Sequence, residues 1–147
     1  MKKHAIEKKI FEEQPIPIFN TKALGYDNEQ VLAAIQEMVR KKENVHIWQN
    51  YSTYDEKLDE KLLNRFADGD DTMFKEAAKH PDDTFIAIFM DWEKATPIYQ
   101  YRMFSILRDM ADGSSELSKN IRPVILTERF DQNAYGILRR FALIDTL

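Results

Sequence analysis

Apolar positions recur along this chain with two different periods. Val31, Leu32, Ile35, Met38 and Val39 fall three to four residues apart and predict one buried helix face. Asp27 precedes them as an N-cap, with Gln30 in the capping-box position, and Lys41 and Lys42 suit the end where the helix dipole favours cations. Leu58, Leu62, Leu63 and Phe66 predict a second helix from about Asp55, broken over 67–71, with a further helical piece over 73–79. Thr96 as cap and Pro97 at the first helical position open another, whose stripe is Tyr99, Met103, Ile106, Leu107 and Met110. Strands are expected over 45–48, over 84–90, which is apolar on both faces, and over 121–127. Residues 134–141 read as a helix or helical turn, and 142–144 as a short last strand.

Two segments near the start need separate treatment. Ile6 and Ile10 are four apart, so residues 1–14 form an N-terminal arm or short helix. Pro15 and Pro17 flank Ile16 and each lacks a backbone donor, which places 15–19 at a sheet edge, not its centre. Strands then alternate with helices through 15–147. That order predicts one α/β domain: three layers, a four- or five-stranded mostly parallel sheet, helices on both faces and right-handed crossovers.

Composition narrows the chemistry. The 147 residues contain no Cys, which excludes disulfides, thiolate metal sites and cysteine catalysis. Three scattered His make no helical metal pair, so no metal and no cofactor is expected. Net charge is −4, which argues against a grip on nucleic-acid phosphates beyond a local patch. No run approaches the ~20 apolar residues of a membrane span. The basic stretch Met1–Lys9 has no apolar core behind it, unlike a secretory signal, so the expected location is cytoplasmic. Nothing in the pattern sets an oligomeric state.

In open α/β sheets, ligands bind beyond the carboxyl ends of the strands. Asp91 and Glu93 follow the 84–90 strand and stand where one carboxylate could hold a cation and another orient a water. The plainer reading is that Asp91 ends a strand and caps a turn. Strands ending at Trp48, Met90 and Thr127 would deliver Trp48, Asp91, Trp92, Glu93 and Glu128 to one rim, with Trp92 partly exposed. Such a rim suits a protein partner that offers Arg or Lys beside an apolar group. The charges over 55–61 read mostly as a solvated helix face.

The order of segments from Thr84 onward resembles part of the AAA+ ATPases: an apolar strand, Asp91, an acidic residue, then a helix with Gln100 and Leu107 on it. Arg122–Glu128 is similar to that family's sensor-1 strand, and Tyr135–Ile144 looks like a run in its MoxR and McrB-type members. The resemblance implies that Arg139 or Arg140 acts at a subunit interface; helix-end cations complementing the dipole are the competing explanation. Departures are equally plain. Residues 19–27 hold one Gly, and Asp27 puts negative charge where a phosphate would sit. Trp92 occupies the place of the catalytic Glu, with Glu93 displaced by one. The expectation is a small non-hydrolytic binding or regulatory protein on a AAA+-like core, acting through protein contacts. The alternative is a nucleotide-dependent P-loop-type enzyme using Asp91 and Glu93.

Overall fold

Five strands form one all-parallel sheet in the order β2-β3-β4-β1-β5: β1 (Ile16–Asn20), β2 (Val45–Tyr51), β3 (Thr84–Met90), β4 (Ile121–Thr127) and β5 (Phe141–Ile144). The computed structural model describes residues 1–12, 15–52, 55–113, 119–130 and 140–147. Helices α1 (Lys3–Phe11), α2 (Asn28–Arg40), α3 (Glu56–Asp68), α4 (Thr72–Lys79) and α5 (Pro97–Ala111) cover it, giving the expected three-layer α/β fold.

The direction of each crossover decides which face its helix covers. From β1 the chain travels through α2 to the far edge at β2, then returns step by step through α3 and α4 to β3 and through α5 to β4. Right-handed crossovers that run in opposite directions place their helices on opposite faces. Accordingly α1 and α2 pack Ile6, Ile10, Val31 and Ile35 against Ile86, Ile88 and Val124. On the other face α3, α4 and α5 pack Leu62, Phe66, Phe74 and Met103 against Phe85, Phe89 and Ile125. The alternation of Phe85, Ala87 and Phe89 with Ile86, Ile88 and Met90 is therefore a two-sided core, as the unbroken apolar run of β3 requires.

The expected caps form. Asp27 and Gln30 make a reciprocal capping box on α2, and the Thr96 side chain accepts from the Tyr99 amide with Pro97 at the first position of α5. The N-terminal segment is a helix, not a loose arm, because Ile6 and Ile10 are buried beneath α2. No helix among the described residues is long and apolar enough to cross a membrane.

Three boundaries differ from the sequence expectation. β1 is an inner strand between β4 and β5, not an edge. Pro17 is tolerated because pairing with β4 begins only at Ile18↔Ile125, so its missing donor precedes that ladder. β2 continues past Trp48 to Tyr51, in unbroken register with β3. Phe141 begins β5 and Arg140 lies in a turn with φ 70°, so the helix expected over 134–141 does not include them; residues 134–139, with Arg139, lie outside the described residues.

Ile88→Ala removes a fully buried side chain from the centre of the sheet. Urea denaturation should show a loss of about 2–5 kcal/mol; a midpoint equal to the parent's would contradict the buried position of β3.

Candidate functional site

The connection leaving β1 turns to one face of the sheet and the connection leaving β3 to the other, with β4 between them. A crevice opens where such connections part, beyond the carboxyl ends of the strands. Here it is occupied by the protein's own polar groups. Asn28, in the first turn of α2 and 2% exposed, donates its amide Nδ2 to Asp91 Oδ1 and to Glu93 Oε1, each at 2.9 Å. The Thr21 hydroxyl lies 2.8 Å from Asn28 Oδ1 and 3.2 Å from the Thr127 carbonyl. The Glu128 amide donates to Glu93 Oε1 at 3.2 Å. One buried carboxamide thus joins the ends of β1 and β3, and Thr21 and Glu93 carry the network on to the end of β4.

Local backbone geometry makes this possible. Asp91 has φ 52° and ψ 42°, a left-handed conformation that Asp tolerates better than most residues. It reverses the chain into a short 3₁₀ turn, Trp92–Lys94, and sends Glu93 back over the strand ends. Gln100 holds that turn, donating its amide to the Trp92 carbonyl at 2.8 Å and the Ala95 carbonyl at 3.2 Å. Lys94 Nζ approaches Asp91 Oδ2 at 3.5 Å. Glu93 Oε2 and Asn20 Oδ1 are buried there without a hydrogen-bond partner among the described residues.

The loop between β1 and α2 does not present its amides outward. Leu24, Gly25 and Tyr26 donate to carbonyls of residues 20–22 within the same turn. At the helix start, Asp27 Oδ1 accepts from the Gln30 amide at 2.7 Å. Three of the loop amides that could face a phosphate are thus used within the turn, and the Asp27 carboxylate stands at the helix start. Among the described residues no three or more His, Cys, Asp or Glu side chains gather in a way that could hold a metal ion.

Of the residues assigned to the rim from sequence, Asp91, Glu93 and the Glu128 backbone come together; the tryptophans do not. Trp92 is 1% exposed, which overturns its expected exposure. The turn at Asp91 folds its indole under the sheet, with ring centroids 4.9 Å from Phe104 and 5.7 Å from Tyr99. Trp48 is half-buried in mid-strand and packs on Phe66 and Phe89, so Tyr51 takes the rim position. Arg140 lies at the amino end of the sheet, where its carbonyl accepts from the Ile16 amide and its Nε meets Asp112 Oδ1 at 2.6 Å. Its guanidinium is engaged within its own chain. The sequence reading missed Asn28; its signal was a polar residue in the first turn of a crossover helix directly behind a cap.

A second feature of the same rim is a cleft of about 520 Å³ between the first turns of α3 and α5, lined by Glu56, Asp59, Glu60, Leu63, Thr96–Tyr99 and Arg102. Asp59 is buried, not part of a solvated face. Burial, and then the Asp59 charge, push the Tyr99 hydroxyl well above its ordinary pKa, with the Ser52 hydroxyl opposing. Comparison with family models, with curated proteins and with solved structures finds no match.

Trp92→Ala should cost about 3–5 kcal/mol in chemical denaturation; an unchanged stability would mean that the indole is not core. A phenol whose folded pKa lies above its unfolded value stabilises fully below the unfolded value and loses that contribution as pH rises through the folded one. Stability should therefore fall above about pH 10, and Tyr99→Phe should flatten that alkaline limb. An identical limb in the variant would refute the assignment to Tyr99.

Proposed function

We propose that this chain is a non-hydrolytic binding domain, built on an α/β core of AAA+-like character, that engages a protein partner at its carboxyl rim. The observation that carries the non-hydrolytic part is the filled crevice. The amides of Leu24, Gly25 and Tyr26 after β1 are spent within the turn, Asp27 occupies the start of α2, and Asn28 closes Asp91 and Glu93 onto β1. Without a glycine-rich loop, and with three of its loop amides already bonded, a triphosphate would meet two carboxylates and gain little in return.

The cleft between α3 and α5 supports the choice of partner. Glu56, Asp59 and Glu60 line it, with Arg102 as the one cationic lining residue among the described residues. Beside it, Ile98 is 73% and Tyr101 64% exposed. These two and Arg102 share one face of α5, being three and four residues apart. Large exposed apolar groups next to acids fit a peptide segment that carries Arg or Lys flanked by aliphatic residues. This relocates the partner surface from the tryptophans to the α3–α5 side of the rim, while Asp91, Glu93 and Glu128 become the scaffold behind it.

Two titrations test the proposal. Calorimetry with ATP and Mg²⁺ should give no micromolar affinity; a dissociation constant near ~1 μM, about −8 kcal/mol, would favour the nucleotide-dependent enzyme instead. In amide NMR, the peptide acetyl-Leu-Arg-Leu-amide should shift resonances around Glu60, Ile98 and Tyr99, and its Glu counterpart should not. Ile98→Glu should weaken the Arg peptide at least tenfold. Equal responses to both peptides would remove the charge argument.

A further inference from the structure

The two edges of the sheet are treated differently. β5 is four residues long and ends its edge quickly. β2 runs seven residues, Val45–Tyr51, pairs only with β3 among the described residues, and does so without a bulge. It contains no charged residue and no Pro. Proteins blunt a free edge with Lys, Pro, bulges or short strands, because unpaired N–H and C=O groups recruit another strand. β2 has none of these defences.

Which groups are free follows from its ladder. The Thr84 amide donates to the Asn44 carbonyl and the Ser52 amide donates to the Met90 carbonyl. In a parallel ladder successive residues face alternate sides. His46, Trp48 and Asn50 therefore point their backbone groups at β3. Val45, Ile47, Gln49 and Tyr51 point theirs at the open edge.

We propose that β2 pairs antiparallel with β2 of a second copy about a two-fold axis at Trp48, making one continuous sheet. Among antiparallel self-pairings this register joins Ile47 to Gln49 and Val45 to Tyr51 in both directions, so every free edge residue gains a partner. Hydrogen-bonded pairs exchange two bonds each. Trp48 meets Trp48 as a non-hydrogen-bonded pair, where side chains approach most closely. The flanking side chains match the pairing. Val45, Ile47 and Trp48 are only half-buried in one copy, on both faces of the strand. No like charges within β2 oppose each other across the axis, and a two-fold interface requires such self-complementarity. The second copy is thus favoured over a charged peptide, for which the strand offers no counter-charge.

Sedimentation equilibrium at about 100 μM should give twice the 17.4 kDa chain mass. In amide hydrogen exchange of the parent protein, Ile47, Gln49 and Tyr51 should be protected at that concentration and lose protection on dilution. Gln49→Pro removes an edge-facing donor and leaves the β3 ladder intact, so it should halve the mass while keeping the circular dichroism spectrum. Asn50→Pro removes a donor to β3 and should instead lower the melting temperature. A parent chain that stays monomeric overturns the proposal. So does a dimer in which those three amides exchange freely, or a folded Gln49→Pro that remains dimeric. The exchange measurement decides the matter even where a proline variant fails to fold.

Discussion

A parallel sheet whose inner strands are apolar on both faces must be covered on both, and the arrangement of this chain follows from that constraint. β3 and β4 expose almost nothing, so helices have to lie above and below them. Right-handed crossovers achieve this only if the chain reverses its direction of travel across the sheet. It does so once, at β2, and the reversal leaves a crevice at the carboxyl ends of β1, β4 and β3. A crevice between strand ends exposes backbone and side-chain polar groups that need partners. Asn28 supplies them. Its carboxamide spends both N–H groups on Asp91 and Glu93 and offers its oxygen to Thr21. The network couples the first helix after β1 to the turn after β3, so the helix is positioned by polar bonds at its start and by Val31, Leu32 and Ile35 along its length.

Much of this was legible along the chain because the signals are local. The cap at Asp27, the Thr96–Pro97 helix start and the two-sided run of β3 each depend on neighbours within about one helical turn or one strand. What escaped depends on tertiary placement. Pro15 and Pro17 point to an edge, yet only the register against β4 shows that Pro17 stands before that ladder begins. Trp92 looked exposed because it follows a strand-ending Asp. The left-handed turn at Asp91 reverses that expectation, and nothing local forces an Asp into that conformation. Asp59 sits among charges, but the helix phase that aligns it with Leu62, Leu63 and Phe66 turns it inward. The Asn28 network joins residues more than sixty positions apart, beyond any periodicity.

The two ends of the sheet divide the work of stabilisation unequally. At the amino end, polar groups are satisfied by main chain. Asn120 Nδ2 lies within 2.8–3.1 Å of the Asp83, His80 and Ala77 carbonyls. Arg122 donates to the carbonyls of Ile10 at 2.6 Å and Pro15 at 3.0 Å. These contacts bind loops and α1 to the sheet. At the carboxyl end the ledger is less closed. Asp91 is held in an uncommon backbone region, and Glu93 Oε2, Asn20 Oδ1 and Trp92 Nε1 are buried without hydrogen-bond partners among the described residues. Each such group costs on the order of 1–3 kcal/mol, and strained or incompletely satisfied positions concentrate where a protein meets its ligands. The asymmetry is in keeping with the working surface proposed at the carboxyl rim. It also explains why the crevice itself serves better as scaffold than as pocket: opening it would uncover Asn28 and leave two neighbouring carboxylates without their shared donor. The α3–α5 cleft, the surface proposed for a partner, is lined by none of Asn28, Asp91 and Glu93, so its occupation would leave that network in place.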